Sequence, residues 1–130
     1  GADGCPGYAE RSGGYGYDAA RIPWRIGTDY VWWGTPAARD WLVRVLDWVV
    51  AQPSGIEGIV DGYTLDGVPV GTIHGVPFVG GFAVGAMAHS QALADALAAD
   101  LIVTPDVRYY QSSLRTLYLL LLTGYFPPGC

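Results

Sequence analysis

Residues 16–34 read GYDAARIPWRIGTDYVWWG, and the reading of this stretch decides the rest of the chain. Asp18, Arg21, Arg25, Asp29 and Trp32 recur at steps of three or four residues, so in a helix they share one side of the cylinder. The opposite side carries Ala19, Ile22, Ile26 and Trp33, too thin an apolar face to be the only buried one. Both faces are therefore expected to be occupied, with the charged face lining a cleft. The helix should run over about residues 18–33. Asp18 suits its cap or first turn, where the helix dipole favours a carboxylate. Pro23 is tolerated only in a first turn, which moves the regular helix toward Ile22, and Gly34 is the expected left-handed stop.

Working outward, Thr35-Pro36 restarts a helix at once, Thr as cap and Pro at the first helical position. That helix should reach about Gln52, with Trp41, Leu42, Val45, Leu46, Trp48 and Val49 as its apolar stripe. So short a turn makes the two helices neighbours. Residues 53–75 are read as a long loop bearing a small β-hairpin at the Asp66-Gly67 signal. A third helix over residues 77–88 is built from Gly80, Gly81, Ala83, Gly85 and Ala86. Glycine weakens a helix by about 1 kcal/mol against alanine, so this many belong where another backbone or a ligand comes close. Ser90 caps a fourth helix over about residues 91–99, and a second Thr-Pro pair, Thr104-Pro105, is expected to open a fifth that Gly124 ends. Repeated helix–turn–helix units predict an all-α fold of α/α hairpins.

Composition narrows the class. The chain has 130 residues, fit for a single domain spanning 1–130 or part of a larger one; 51% are hydrophobic and 15% charged, which excludes a disordered chain. All seven basic residues are Arg, scattered along a chain of net charge -5, so no footprint for nucleic acid or for an anionic membrane surface forms. The longest apolar run, residues 117–122, is too short to span a bilayer. Five Trp and nine Tyr suit the flat faces of sugars as well as a core. Cys5 and Cys130 stand at the two ends and admit either a disulfide or two free thiols. The chain starts with Gly rather than Met and shows no leader, as expected of a mature product or the tail of a longer chain.

Metal chemistry is not expected, because His74 and His89 lack partners at ligand spacing; no cofactor motif is present either. The carboxylates remain. Asp18 follows Tyr17 and precedes Arg21 by one turn, an arrangement that can hold an aspartate ionised and aimed as a general base. It can equally be a helix cap paired with Arg21. Asp29 and Arg25 read as an i, i+4 pair, and Tyr109 and Tyr110 as either a stacking platform or packing.

The run YDAARIPWRIGTDYVWWG resembles the signature of glycoside hydrolase family 8, the cellulase, chitosanase, lichenase and xylanase group. The resemblance extends through DGYTLDGVPVG, FVGGFAVGAMA and RYYQSSLRTLYLLLLTG. It implies part of an (α/α)6 barrel and inverting hydrolysis of a β-1,4-linked glycan, cellulose or β-glucan first among them. It also implies Asp18 as general base, Tyr17 beside the attacking water, Arg21 at the same subsite, and Tyr109 and Tyr110 as substrate-binding tyrosines. In an inverting pair the two carboxyls stand about 6.5–9.5 Å apart to admit that water. The family's general-acid glutamate belongs to an N-terminal half with no counterpart here: Glu10 and Glu57 lie in glycine-rich loops. The expected partners are a β-glycan polysaccharide or oligosaccharide and the missing half of the barrel or a partner chain. The expected location is secreted or periplasmic, from polymer size and the cysteine pair. The alternative is a non-catalytic partial-barrel segment that binds glycan or packs on a partner.

Overall fold

The computed structural model describes residues 13–106 and 108–129. Cys5, Cys130 and Glu10 lie outside them. Helix makes up 63% of the described residues and no sheet forms among them, so the class is all-α. A 3-10 turn, Ala19–Arg21, leads into α1 (Ile22–Trp33); α2 is Pro36–Ala51, α3 Val76–Ala86, α4 Gln91–Val103 and α5 Tyr109–Leu122. None of these helices is long and apolar enough to cross a membrane.

Every residue of α3 is buried, as its sequence VPFVGGFAVGA, free of charge, requires. All four other helices pack on it; α2 lies across α1 and α3, and α4 across α3 and α5. The result is one row of α1, α3 and α5 with α2 and α4 behind, the alternation expected of part of an (α/α)6 barrel. The glycines permit it. A Cβ on Gly81 would stand 2.6 Å from the Ala20 carbonyl oxygen, and one on Gly27 of α1 would stand 2.8 Å from Val84 Cγ1. Around this seam Phe78, Phe82, Leu42, Leu46, Leu97, Leu101, Tyr118 and Leu121 are fully buried, each apolar side chain worth about 1.5–3 kcal/mol.

Local signals placed most ends correctly. Gly34 adopts φ +65 and its N–H donates to the Tyr30 carbonyl, and the Ser90 hydroxyl accepts from the Leu93 N–H at 3.3 Å. Four expectations need correcting. The buried face of α1 is Pro23, Trp24 and Gly27, preceded by Ala20, whereas Ile22 and Trp33 are exposed. Small residues face α3 because only they admit its backbone. α4 continues past Ala99 to Val103. Thr104-Pro105 does not open α5: the Thr104 hydroxyl turns back to the Asp100 carbonyl at 2.8 Å, closing α4, and α5 starts at Tyr109. The hairpin contracts to single bridges, Tyr63 with Tyr15 and Tyr63 with Pro69, around a turn in which Gly67 has φ +80. Pro69 has no N–H to extend a ladder.

The rest of residues 53–75 is fastened by side chains. His74 Nδ1 meets the Ile59 carbonyl at 2.8 Å and Nε2 meets the Asp100 carboxylate at 3.0 Å, tying the loop to α4.

Candidate active site

The Gly16 carbonyl accepts from the N–H groups of Ala19 and Ala20, at 3.0 and 2.9 Å, and this turns the chain into the 3-10 entry of α1. Asp18 occupies the cap position, but its side chain makes no capping bond. Its Oδ1 lies instead 3.2 Å from Arg21 Nη2. The carboxylate side chain is 90% exposed and that of Arg21 43%. A carboxylate left out of the capping bond, steadied from one side by a guanidinium, keeps oxygen lone pairs available to accept a proton from water.

Tyr17 sits beside it, its ring edge-on to Phe78 with centroids 5.3 Å apart. Its hydroxyl donates to Asp61 Oδ2 at 3.1 Å. Asp61 Oδ1 accepts from the backbone N–H groups of Thr72 and Ile73, both at 3.0 Å. Burial pushes the Asp61 carboxyl up, but the Ile73 and Thr72 N–H groups and the Tyr17 hydroxyl outweigh it and hold the group below its ordinary value. Asp61 is therefore a fixed anion behind Tyr17. It escaped the sequence reading because its partners lie 44 residues before it and 11 and 12 after, at no periodic spacing.

Tyr118 links this corner to α5. Its hydroxyl donates to the Pro77 carbonyl in the first turn of α3 at 3.2 Å, and its ring meets Trp24 edge-on. Burial pushes its phenol up, Tyr110 adds to the rise, and Arg21 and Arg25 oppose it. At the far end Trp32 Nε1 donates to the Phe126 carbonyl at 2.8 Å, just beyond α5. The helices α1, α3 and α5 therefore run the same way, and their N-termini bring Tyr17, Asp18, Arg21, Tyr109 and Tyr110 to one end. Tyr109 is 89% exposed and Tyr110 less so.

Further down the same row, a groove of about 470 Å³ opens between α1 and α5, lined by Trp24, Arg25, Thr28, Asp29, Trp32 and Leu117 among others. The lower half of the charged stripe thus lines a cleft, as its spacing predicts; Asp18 and Arg21 stand outside it. Arg25 does not pair with Asp29 but lies over the Trp24 ring, 4.4 Å from its centroid. A second groove of about 310 Å³, between α2 and the 63–67 turn, is lined by Tyr15, Trp41, Val45, Trp48, Tyr63 and Phe82 among others, and Asp18 does not line it. His89 is held by Asp47 at 3.0 Å, and no group of three His, Cys, Asp or Glu suited to a metal occurs among the described residues.

No protein-family model matches the chain. Among known proteins it is similar to Endoglucanase A of Acetivibrio thermocellus, 36% identical over 120 residues, which cover 87% of this chain and 24% of that protein. It is also similar to a Beta-glucanase of Niallia circulans, 30% identical over 86% of this chain and 28% of that protein, and to Endoglucanase 2 of Ruminiclostridium josui, 33% identical over 85% and 25%. The chain spans about a quarter of the length of these curated relatives, matching their C-terminal part. Its backbone superposes on the apo structure of a β-1,3-1,4-glucanase from Paenibacillus sp. X4 with a TM-score of 0.80 at 29% identity, covering 87% of this chain and 31% of that one. By sequence and by backbone alike, the chain is similar to the C-terminal part of endoglucanases and β-glucanases, in keeping with its resemblance to glycoside hydrolase family 8.

Proposed function

We propose that this chain is the base-bearing part of a longer glycosidase that cleaves a β-1,4-linked glycan, cellulose or β-glucan, with inversion at the anomeric carbon. The observation that carries this reading is the Asp18–Arg21 pair, 3.2 Å apart at the end where α1, α3 and α5 begin, with Tyr17 alongside. In the proposed reaction Asp18 takes a proton from a water, which attacks the anomeric carbon as the glycosidic oxygen leaves. That oxygen is protonated by a glutamic acid supplied from outside this chain, by the remainder of the barrel or by a partner chain. Arg21 steadies the Asp18 carboxylate from one side, and Tyr110 with the exposed Tyr109 offers ring faces to sugar units. A polymeric substrate places the protein outside the cytoplasm, secreted or periplasmic.

The test uses the chain with its native flanking sequence, assayed on cellulose, lichenan, chitosan and xylan. Hydrolysis that Asp18→Asn abolishes, giving an inverted product by NMR, supports the proposal; a retained anomeric configuration overturns it. A second reading, non-catalytic glycan binding, draws on Tyr109 at 89% and Trp33 at 67% exposure. It predicts oligosaccharide affinity that Asp18→Asn leaves intact and no turnover on any of the four polymers.

A further inference from the structure

The anion behind Tyr17 has a use that Asp18 alone does not explain. Asp61 is gripped on one oxygen by two backbone donors, Thr72 and Ile73, and its other oxygen receives the Tyr17 proton. Gly71 makes the grip possible: a Cβ there would meet the Asp61 carboxyl and the Gly62 N–H, which would stand 2.6 Å away. The Gly71 and Val70 N–H groups in turn donate to the Gly62 carbonyl at 3.1 and 3.0 Å, so the carboxylate sits on a closed turn. The tyrosine ring is fixed from another side by Phe78.

A phenol has one proton and two lone pairs. With its proton committed to a carboxylate, the Tyr17 oxygen can meet a further polar group only as an acceptor, and the charge-assisted bond makes it a better one. We propose that Asp61 is a positioning residue: by holding the Tyr17 hydroxyl proton, it sets Tyr17 to accept a hydrogen bond from the attacking water or from a sugar hydroxyl next to Asp18. This rests on the hydrolytic reading above. It makes no covalent contact and moves no proton during turnover.

Asp61→Asn presents an N–H where the carboxylate accepted, so the Tyr17 hydroxyl must turn its proton outward. In the chain with its native flanking sequence, kcat on the polymer that the wild type cleaves should fall on the order of tenfold to a hundredfold, with KM within about twofold. Tyr17→Phe should fall similarly, and the double variant should be no slower than Tyr17→Phe alone, because Asp61 acts through Tyr17. Losses that multiply in the double variant, or an Asp61→Asn enzyme with wild-type kcat, overturn the inference. A wild type inactive on all four polymers overturns the hydrolytic reading instead. Should Asp61→Asn fail to fold, judged by its helical signal, Tyr17→Phe keeps the test alive: its kcat must drop with KM unchanged, and wild-type kcat in that variant overturns the inference as well.

Discussion

The ring of Tyr118 lies where a side chain on Gly80 would have to stand. The tyrosine is fully buried, its edge against Trp24 and its hydroxyl on the Pro77 carbonyl. This contact joins α5 to α3, and both helices are inflexible there: α3 is enclosed on all sides and Tyr118 is held at both ends of its ring. Gly80→Ala should therefore destabilise the protein by about 1–3 kcal/mol, although alanine is the better helix former by about 1 kcal/mol. Denaturant unfolding measures it, and a more stable Gly80→Ala variant would show that the helices can separate at no cost.

Asp18 predicts the opposite pattern. Its carboxylate is almost wholly exposed and makes no capping bond, and an exposed pair such as Asp18–Arg21 contributes about 0–1 kcal/mol. Asp18→Asn should leave the unfolding midpoint nearly unchanged while lowering hydrolysis by about a hundredfold or more, the usual contribution of a general base. A drop in stability with activity retained would mark it as structural.

His74 predicts a local effect. Both ring nitrogens face oxygen, the Ile59 carbonyl and the Asp100 carboxylate, so one ring clamps the 53–75 loop to α4. His74→Ala leaves both oxygens without that partner in a half-buried setting and should cost about 1–3 kcal/mol. Hydrogen exchange should quicken at residues 59–74 while α3 keeps its protection; unchanged exchange in the loop would show that the turn around Gly62 suffices alone.

How legible this was depends on how far each signal had to reach. Gly34 and Ser90 act within a few residues and are legible in the chain itself, and the glycines of α3 signal a close approach without naming Ala20 or Tyr118 as what approaches. The buried face of α1 was not, because Ala20 and Gly27 count for little in an apolar tally yet are what α3 requires opposite it. Asp61 was invisible because its partners lie 44 residues before it and 11 and 12 after, at no periodic spacing. Thr104-Pro105 carries the same two letters as Thr35-Pro36, and nothing nearby distinguishes them. The family likeness placed Asp18, Tyr17 and Arg21 at the start of α1, and the fold adds that the tyrosines of α5 come to the same end.

The buried phenols set the alkaline limit. Burial pushes the Tyr15 hydroxyl up, helped by Tyr118 and Tyr63, and pushes Tyr118 up too. Unfolded tyrosine ionises at about pH 10, so the folded state holds these protons more tightly. The stability they contribute is whole below about pH 10 and declines as pH rises beyond it. Tyrosine ionisation followed by ultraviolet absorbance should include a late fraction coincident with loss of helix, and Tyr118→Phe should shrink that fraction. Complete ionisation with the helices intact would contradict the burial. Asp61 works the other way: its folded carboxyl is lowered, so its contribution stands above the ordinary carboxylate range and is lost as pH falls through the folded value.

Arg115 explains why the second Thr-Pro pair ends a helix rather than starting one. From the second turn of α5 its guanidinium donates to the Thr104 carbonyl and lies 3.3 Å from Asp106 Oδ2, with both side chains mostly buried. Thr104 is thereby claimed from two directions, by Asp100 behind it and Arg115 ahead, and its backbone oxygen serves as an acceptor for α5 instead of opening a new helix. Two separate donors reaching two different oxygens suit a planar guanidinium and not an ammonium. Arg115→Lys should therefore behave nearly as badly as Arg115→Met, each losing about 1–3 kcal/mol, because a buried acceptor is left unpaired in both. The damage should spread to the exposed N-terminal turn of α5, so exchange at Tyr109 and Tyr110 should quicken and oligosaccharide binding weaken, though Arg115 lines neither groove. An Arg115→Lys protein with wild-type stability would mean that charge alone, rather than the fork, holds the α4–α5 connection.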